Sequence, residues 1–166
     1  MSGACASSSG NVIFYYLFYL ALELCLQYNI SINEEMAEKL STGDKFDHAM
    51  CQEDKVRVLN KIAEVSYQQG NYHLATKKWT QSGSRLQAMK SLLKSGDTEK
   101  IIFFANVSRQ REIYILAGNY LQTLDWRNNS DIMKNIITFY TKVSSSTSGS
   151  MIQIINCIIY IQGQSI

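Results

Sequence analysis

The sequence predicts an all-α fold built from antiparallel helix hairpins, and three observations support this class. The 166 residues include no proline, so nothing interrupts a helix from within. Hydrophobic residues make up 46% of the chain, which is enough to bury a sizeable core. Across 12–142 these residues recur at the three- and four-residue spacing of amphipathic helices, and glycines separate the periodic segments.

The segment 70–83, GNYHLATKKWTQSG, predicts the turn and second helix of a tetratricopeptide-like hairpin. The preceding segment, 52–69, carries an apolar stripe and supplies the first helix. Glycine at position 70 favours the left-handed conformation with which a chain leaves a helix. A relaxed copy of the pattern begins at Gly96. We therefore predict a tetratricopeptide-like alpha-solenoid with short, irregular repeats. Packing between its helices is assigned to Ala63, Gly70, Tyr72, Ala75, Trp79, Ser82 and Gly96.

The N-terminal part is predicted to hold a leader and two helices. Residues 1–11 are small and polar, which is typical of a disordered leader. The run VIFYYLFYLAL at 12–22 is uncharged but shorter than the about twenty residues that span a bilayer, so it indicates a buried helix. The continuation of this helix places Leu20 and Leu24 on one side. Ser31 and Glu34 have the spacing of a capping box and predict the start of a short second helix.

The C-terminal half is predicted to hold further helices, a linker and a tail. The inner face of the helix that ends at Gly96 is assigned to Leu86, Met89, Leu92 and Leu93. Helix N-caps are predicted at Asp97, Ser108 and Asn129 or Ser130. The inner face of the last helix is assigned to Ile132, Met133, Ile136, Ile137 and Tyr140. Residues 143–150 form a serine-rich linker by composition, and 151–166 is an apolar tail that the pattern assigns to neither helix, strand nor anchor.

The net charge is only +2, but the charges are unevenly distributed. Residues 77–111 carry eight basic residues against Asp97 and Glu99, whereas the first fifty residues are acidic. A basic stretch of this kind can attract nucleic acid or acidic lipid, but lysine and arginine are also the ordinary residues of a solvated helix face. No aromatic pattern of an RNA-binding sheet accompanies it. We predict no nucleic-acid partner and expect no membrane contact.

The sequence offers no convincing catalytic or metal-binding group, and we predict a protein that is not an enzyme and needs no cofactor. His73 lies beside Lys77 on a predicted helix face, where a solvated histidine is the ordinary case. His48 and Cys51 are three residues apart, but two ligands do not make a metal site. The four cysteines have no regular spacing, which favours a reducing compartment.

Two long runs carry a resemblance to a known family. YHLATKK at 72–78 and AMKSLLKSGDTEKI at 88–101, with shorter runs such as LDWR at 124–127, resemble the family of intraflagellar transport protein 140, a subunit of complex A of the ciliary transport trains. The resemblance extends over about 19–142. It implies a fragment of the helical solenoid that follows two WD-repeat propellers in that family. Residues 1–18 and 143–166 do not share it, and we expect them to be unrelated to the family.

The resemblance implies a non-catalytic scaffold whose surfaces bind other subunits of complex A during retrograde transport and cilium assembly. It also implies a location in the cilium, the cytoskeleton and the cytoplasm. Self-association is a further expectation, because solenoid ends without capping repeats leave apolar faces open. The alternative is a peripheral or tail-inserted membrane protein that uses the apolar runs at 12–22 and 151–161.

Overall fold

The computed structural model describes residues 9–42 and 51–144. Within these ranges the chain forms eight α-helices and no strand, and each helix packs against at least one other helix of its own unit, which confirms the predicted all-α, tetratricopeptide-like solenoid class. The helices are α1 (Ser9–Gln27), α2 (Glu34–Thr42), α3 (Gln52–Gln68), α4 (Tyr72–Gln81), α5 (Arg85–Ser95), α6 (Thr98–Ser108), α7 (Arg111–Gln122) and α8 (Ser130–Ser144). The chain divides into two compact units, Met1–Ser95 and Gly96–Ile166, each with its own buried residues.

In the first unit α4 packs against both α3 and α5, while α1 and α2 contact α3. Side chains also join α4 to α5 by hydrogen bonds to the backbone. Ser91 Oγ donates to the carbonyl of Tyr72 at 2.9 Å, and Thr76 Oγ1 donates to the carbonyl of Ala88 at 3.3 Å. The core shared by the first four helices consists of Phe18, Leu22, Cys25, Ile32, Ala37, Val58, Ile62, Val65 and Leu74.

Gln69 ties the connection between α1 and α2 to the end of α3. Its Nε2 donates to the carbonyl of Ile30 at 2.6 Å, and its Oε1 accepts from the backbone N–H of Ile32 at 2.9 Å. The side-chain amide thus pairs with backbone polar groups that have left the helix and would otherwise lack a partner. As a result, the turn of the hairpin formed by α3 and α4 is fixed relative to the connection between the first two helices.

In the second unit α7 contacts both α6 and α8. The buried hydrophobic residues of the second unit are Ile101, Ala105, Ile113, Tyr114, Ala117, Leu121, Ile136, Phe139, Tyr140 and Val143. Gly118 lets α7 and α8 approach closely, because a Cβ at this position would lie 3.0 Å from a ring carbon of Tyr140. The same ring is anchored at its far end, where Tyr140 Oη donates to Asn119 Oδ1 at 2.7 Å.

Two predicted N-caps are confirmed by side-chain hydrogen bonds. Asp97 Oδ1 accepts from the backbone N–H of Lys100 at 3.2 Å, and Asn129 Oδ1 accepts from that of Ile132 at 3.2 Å. Both contacts satisfy an amide of the first helical turn, which has no partner inside the helix.

Two other predicted caps are wrong. Asn33, and not Ser31, caps α2, because Asn33 Oδ1 accepts from the N–H of Met36 at 2.7 Å. Ser108 is the buried last residue of α6, Arg109 then takes a left-handed conformation at φ 51°, and the N-cap position of α7 is Gln110. Asn33 and Ser31 are both good capping residues, and the capping-box spacing misplaced the helix start.

Inner faces are predicted correctly for most helices but not for every residue. Leu86 on α5 and Ile137 on α8 are exposed, by 42% and 39%. On α5 the small Ala88 is buried instead, and its carbonyl is close enough to α4 to accept from Thr76. On α8 the fully buried Phe139 takes the inner position and packs on Tyr114 with ring centroids 5.5 Å apart.

Helix α1 differs from the prediction of a buried helix. Phe18, Leu22 and Cys25 are buried, but Leu20 and Leu24 are exposed by 47% and 40%. The helix therefore packs on the unit with one face and presents the other, also apolar, to solvent. Helical spacing shows which residues share a face, but it does not show which face has a neighbour.

The predicted chain boundaries are only partly covered by the described residues. Helix α1 begins at Ser9, so 9–11 are helical and do not belong to a disordered leader, and α8 extends to Ser144. Residues 1–8, the rest of the predicted linker at 145–150 and the tail at 151–166 lie outside the described residues.

Substituting Gly70 by alanine is expected to destabilise the protein by about 1–2 kcal/mol, because the left-handed conformation is costly for a residue with a Cβ. Gly70 has φ 78°, and a Cβ would meet nothing within 4 Å, so the loss reflects backbone conformation alone. Urea unfolding followed by circular dichroism measures it. Gly70→Asn is the control and should lose less, since asparagine tolerates this conformation. An alanine variant as stable as the wild type would contradict the expectation.

Candidate functional site

The central hairpin of α3 and α4 brings three aromatic rings together. Tyr67 of α3 has its ring centroid 5.4 Å from that of Tyr72 and 5.6 Å from that of Trp79, both on α4. Trp79 is only 9% exposed. The predicted residues Tyr72 and Trp79 therefore meet through Tyr67, which the spacing pattern did not select.

The small residues assigned to helix packing lie at buried or strongly turned positions. Ala63 and Ala75 have no exposed surface, and Gly96 has φ 72°, as expected for a residue that ends a helix. Tyr120 Oη donates to the carbonyl of Gly96 at 3.1 Å, which satisfies a backbone acceptor at this turn. That these residues determine how the hairpins pack remains a prediction.

Ser82, the last residue of the predicted set, takes part in a polar contact across the hairpin. Its Oγ donates to Asn60 Oδ1 at 2.7 Å, and Ser84 Oγ donates to the same oxygen at 3.0 Å. Both hydroxyls therefore use the acceptor side of the Asn60 amide. The N–H donors of the Asn60 amide take no part in these two hydrogen bonds.

Asn60 lies on the wall of an open cleft in the first unit, which we call the α3 cleft. The volume of the α3 cleft is about 690 Å³. It is lined by three aromatic rings, three side-chain amides and several charged groups, contributed by α1, α3, α4, α5 and the turn before α5. The lining residues are Tyr19, Arg57, Asn60, Lys61, Glu64, Tyr67, Gln68, Trp79, Ser84 and Gln87.

The charged groups of the α3 cleft differ in how firmly they are paired. Lys61 Nζ lies 3.2 Å from Glu64 Oε2 and 5.5 Å from the ring centroid of Tyr19, so its charge is engaged on two sides. Arg57 is 3.7 Å from Asp54, and its side chain is 61% exposed. A weak, solvated pair of this kind leaves Arg57 able to bind a carboxylate on a partner.

A second polar cluster joins α2 to α4 and centres on Lys78, which has no exposed surface. Lys78 Nζ lies 3.2 Å from Glu38 Oε1 and donates to Ser41 Oγ at 2.8 Å. Its neighbour Lys77 contacts Glu38 at 3.0 Å and Glu34 at 2.5 Å. We call these five residues the Lys78 cluster. Because acids of α2 neutralise two lysines of the basic stretch, part of that stretch is not available to an external anion.

The Lys78 cluster shifts the pKa of two of its members. Hydrogen bonds from Lys77 and Lys78 hold the pKa of the Glu38 carboxyl below its usual value, although burial partly opposes this. Hydrogen bonds to Glu34 and Glu38 raise the pKa of Lys77 above its usual value. Each group is thus stabilised in its charged form, as in a structural ion pair.

The burial of Lys78 was not predicted, although the sequence carries a signal for it. Lys78 follows the buried Leu74 by four residues and Ala75 by three, so helical spacing alone places it on the inner face. Lysine, however, is almost never fully buried unless it is paired. Its partners Glu38 and Ser41 lie about 40 residues earlier in the chain, beyond the reach of any local pattern.

The described ranges, 9–42 and 51–144, contain no group of three His, Cys, Asp or Glu side chains that could hold a metal ion. His48 lies outside them. In the same part of the chain, none of the helices combines the length and apolar character needed to cross a membrane. The apolar run at 151–161 lies outside the described residues.

Comparison with known families gives a match that includes residues of both units. A family model for the TPR domain of intraflagellar transport proteins 140 and 172 matches residues 12–139, which is more than half of the chain. The match runs from α1 into α8 and contains the central hairpin, the α3 cleft and the Lys78 cluster. It also includes 12–18, a segment that was expected to be unrelated to the family.

Proposed function

The chain belongs to the family defined by the TPR domain of intraflagellar transport proteins 140 and 172, and on this basis we propose that it is a non-catalytic scaffold that binds other proteins of intraflagellar transport. The observation that carries the proposal is the family match over 12–139. Tetratricopeptide-type domains are stacks of helix hairpins whose surfaces bind partner proteins. The described residues provide such hairpins.

The finer proposal is that the chain is part of an intraflagellar transport protein 140 type subunit of complex A. The runs at 72–78 and 88–101, which resemble that family, support it. On this proposal the partners are other complex A subunits, and the processes are retrograde transport and cilium assembly. The corresponding location is the cilium, with its cytoskeleton, and the cytoplasm.

We further propose the α3 cleft as the surface that receives a partner's polypeptide. The side-chain amides of Gln68 and Gln87 can both donate to and accept from a peptide backbone. Asn60 can only donate, because its oxygen already accepts from two serine hydroxyls. The neighbouring rings provide apolar surface for side chains of the bound segment. Arg57 adds a positive charge, so a segment with a carboxylate fits best.

Capture of partners by the tagged chain in ciliated cells tests the proposal. We expect the wild-type chain to recover complex A subunits, identified by mass spectrometry. Arg57→Glu should lower this recovery at least tenfold, that is by about 1.4 kcal/mol of binding free energy or more, because it repels the partner's carboxylate. Lys94→Glu is the matched control, since it makes the same change of charge at an exposed position of α5 that does not line the cleft.

Three outcomes would count against the proposal. A folded wild-type chain that recovers no complex A subunit removes the assignment to this complex. Recovery of a different transport complex supports the family-level role but contradicts the complex A subunit. Equal losses in Arg57→Glu and Lys94→Glu would exclude the α3 cleft as the binding surface and leave the family assignment intact. Circular dichroism of each variant verifies that it remains helical.

A further inference from the structure

The solvent-facing side of α1 carries a continuous apolar seam. Ile13, Leu17, Leu20 and Leu24 are exposed by 63%, 57%, 47% and 40%, and they follow one another at intervals of four, three and four residues. This is the spacing of the a and d positions of a coiled coil, where apolar residues pack against a second helix. Tyr16 and Tyr28 flank the seam and are exposed by 71% and 68%. We call these six residues the α1 seam.

The α1 seam is on the opposite side of the helix from the core. Phe18, Leu22 and Cys25 occupy the buried face and belong to the core of the first unit. The helix therefore has two apolar faces, of which the unit covers one. Monomeric proteins rarely expose a contiguous apolar surface of this kind without a function for it.

The spacing of the seam is the same in both directions along the helix. An antiparallel second copy of α1 therefore places Ile13 against the partner subunit's Leu24 and Leu17 against the partner subunit's Leu20, and the same pairs recur by symmetry. The four positions with a and d spacing, 13, 17, 20 and 24, are then all filled by apolar residues. This is the self-complementarity that a twofold-symmetric interface requires.

Charge favours the same arrangement. Glu23 is the one charged residue in the sequence of α1. In the antiparallel pairing the two copies of Glu23 are about nine residues apart along the axis, or roughly 13 Å, which exceeds the screening length of about 8–10 Å. Parallel pairing would place them at the same level. Opposed helix dipoles also favour the antiparallel pair.

The area is sufficient for a stable dimer. With roughly 200 Å² of accessible surface for an aromatic side chain, and less for leucine or isoleucine, the exposed fractions of the α1 seam amount to at most roughly 700 Å² per copy. A symmetric pair would then bury at most about 1,400 Å², an upper value within the range of about 1,200–2,000 Å² that is typical of specific interfaces. From spacing, charge and area together, we infer that the α1 seam is a homodimer interface in which two copies of the chain pack antiparallel.

The test is the mass of the 18.9 kDa chain in solution. Sedimentation velocity over a wide range of concentration should show a reversible dimer for the wild type. Leu17→Lys should raise the dissociation constant at least about 100-fold, because each dimer would bury two unpaired ammonium groups in the seam. Leu86→Lys is the matched control, since Leu86 is exposed by 42% on α5, and it should leave the dissociation constant unchanged.

The inference is wrong if the wild type stays monomeric at its solubility limit, or if folded Leu17→Lys dimerises as well as the wild type. It is also wrong if the monomer binds phosphatidylcholine vesicles through the seam, with binding lost in Leu17→Lys, because the occupant would then be lipid. Should Leu17→Lys lose its helical circular dichroism, Leu24→Gln replaces it as an uncharged change. Mass and partner capture are separate measurements, so this inference and the proposed function fail independently.

Discussion

Replacing Trp79 by alanine is expected to lower the free energy of unfolding of the first unit by about 3 kcal/mol, the lower end of the range for deleting a buried tryptophan. Trp79 is 9% exposed and packs on Tyr67 with ring centroids 5.6 Å apart. Its removal takes away apolar burial and an aromatic pair, and it leaves a void between α3 and α4. The lower end applies because one side of the ring faces the α3 cleft and the void can fill with water.

Urea unfolding followed by far-ultraviolet circular dichroism measures this loss. His73→Ala is the control on the same helix, and since His73 is exposed we expect it to change stability by less than about 0.5 kcal/mol. A loss below about 1 kcal/mol for the tryptophan variant would show that the hairpin does not depend on this ring. The assignment of Trp79 to repeat packing would then be wrong.

Replacing Glu38 by glutamine is expected to destabilise the protein by about 2 kcal/mol, because it leaves the buried Lys78 without a carboxylate. Removing one partner of a fully buried ion pair costs more, about 3–5 kcal/mol, but the Glu38 side chain is 35% exposed and partly hydrated. Lys78 keeps its hydrogen bond to Ser41. By contrast, Lys78→Met removes the buried charge and keeps a side chain of similar volume. We therefore expect the free energy of unfolding to change by no more than about 1 kcal/mol in either direction.

Glu35→Gln is the matched control for Glu38→Gln. Glu35 lies on the same helix and pairs with Lys39 at 2.6 Å, but both side chains are more than 70% exposed. Such a pair contributes less than about 0.5 kcal/mol. If the two glutamine variants lose equal stability in urea unfolding, the burial of Lys78 does not increase the stability lost in Glu38→Gln.

The same cluster predicts how stability depends on pH. The pKa of Glu38 is lowered from 4.5 in the folded protein. The stability that its carboxylate contributes is therefore present above pH 4.5 and is lost as the pH falls through the pKa of the folded protein. The pKa of Lys77 is raised from 10.5, so its contribution is present below pH 10.5 and is lost as pH rises through the folded value. The stability difference between wild type and Glu38→Gln should therefore shrink when urea unfolding is repeated below pH 4.5.

The hairpin could be predicted from the sequence because its signals are local. A glycine at position 70 and the helical spacing of Tyr72, Ala75 and Trp79 specify a turn and the inner face of the helix that follows it. The cap at Asp97 is local in the same sense, since acceptor and donor are three residues apart. The confirmed predictions are of this kind.

What could not be predicted depends on contacts between distant segments. Lys78 is buried because Glu38 and Ser41 approach it from another helix. The cleft exists because Tyr19 of α1 and Trp79 of α4 reach the same space. Whether a face of α1 is covered is also a property of its neighbours, and its periodicity is the same in either case. Periodicity identifies the apolar face of a helix, but the tertiary structure determines which other helix covers that face.

The close approach at Gly118 has a consequence for sequence change. A Cβ at position 118 would lie 3.0–3.3 Å from three atoms of the Tyr140 side chain, which is anchored by its hydrogen bond to Asn119. Alanine at 118 therefore requires the Tyr140 ring to shift by a few tenths of an ångström, against the hydrogen bond that holds it. A smaller residue at 140 alone leaves a void beside the glycine. The two positions form a coupled pair, which a homologous sequence can alter together at far lower cost than one at a time.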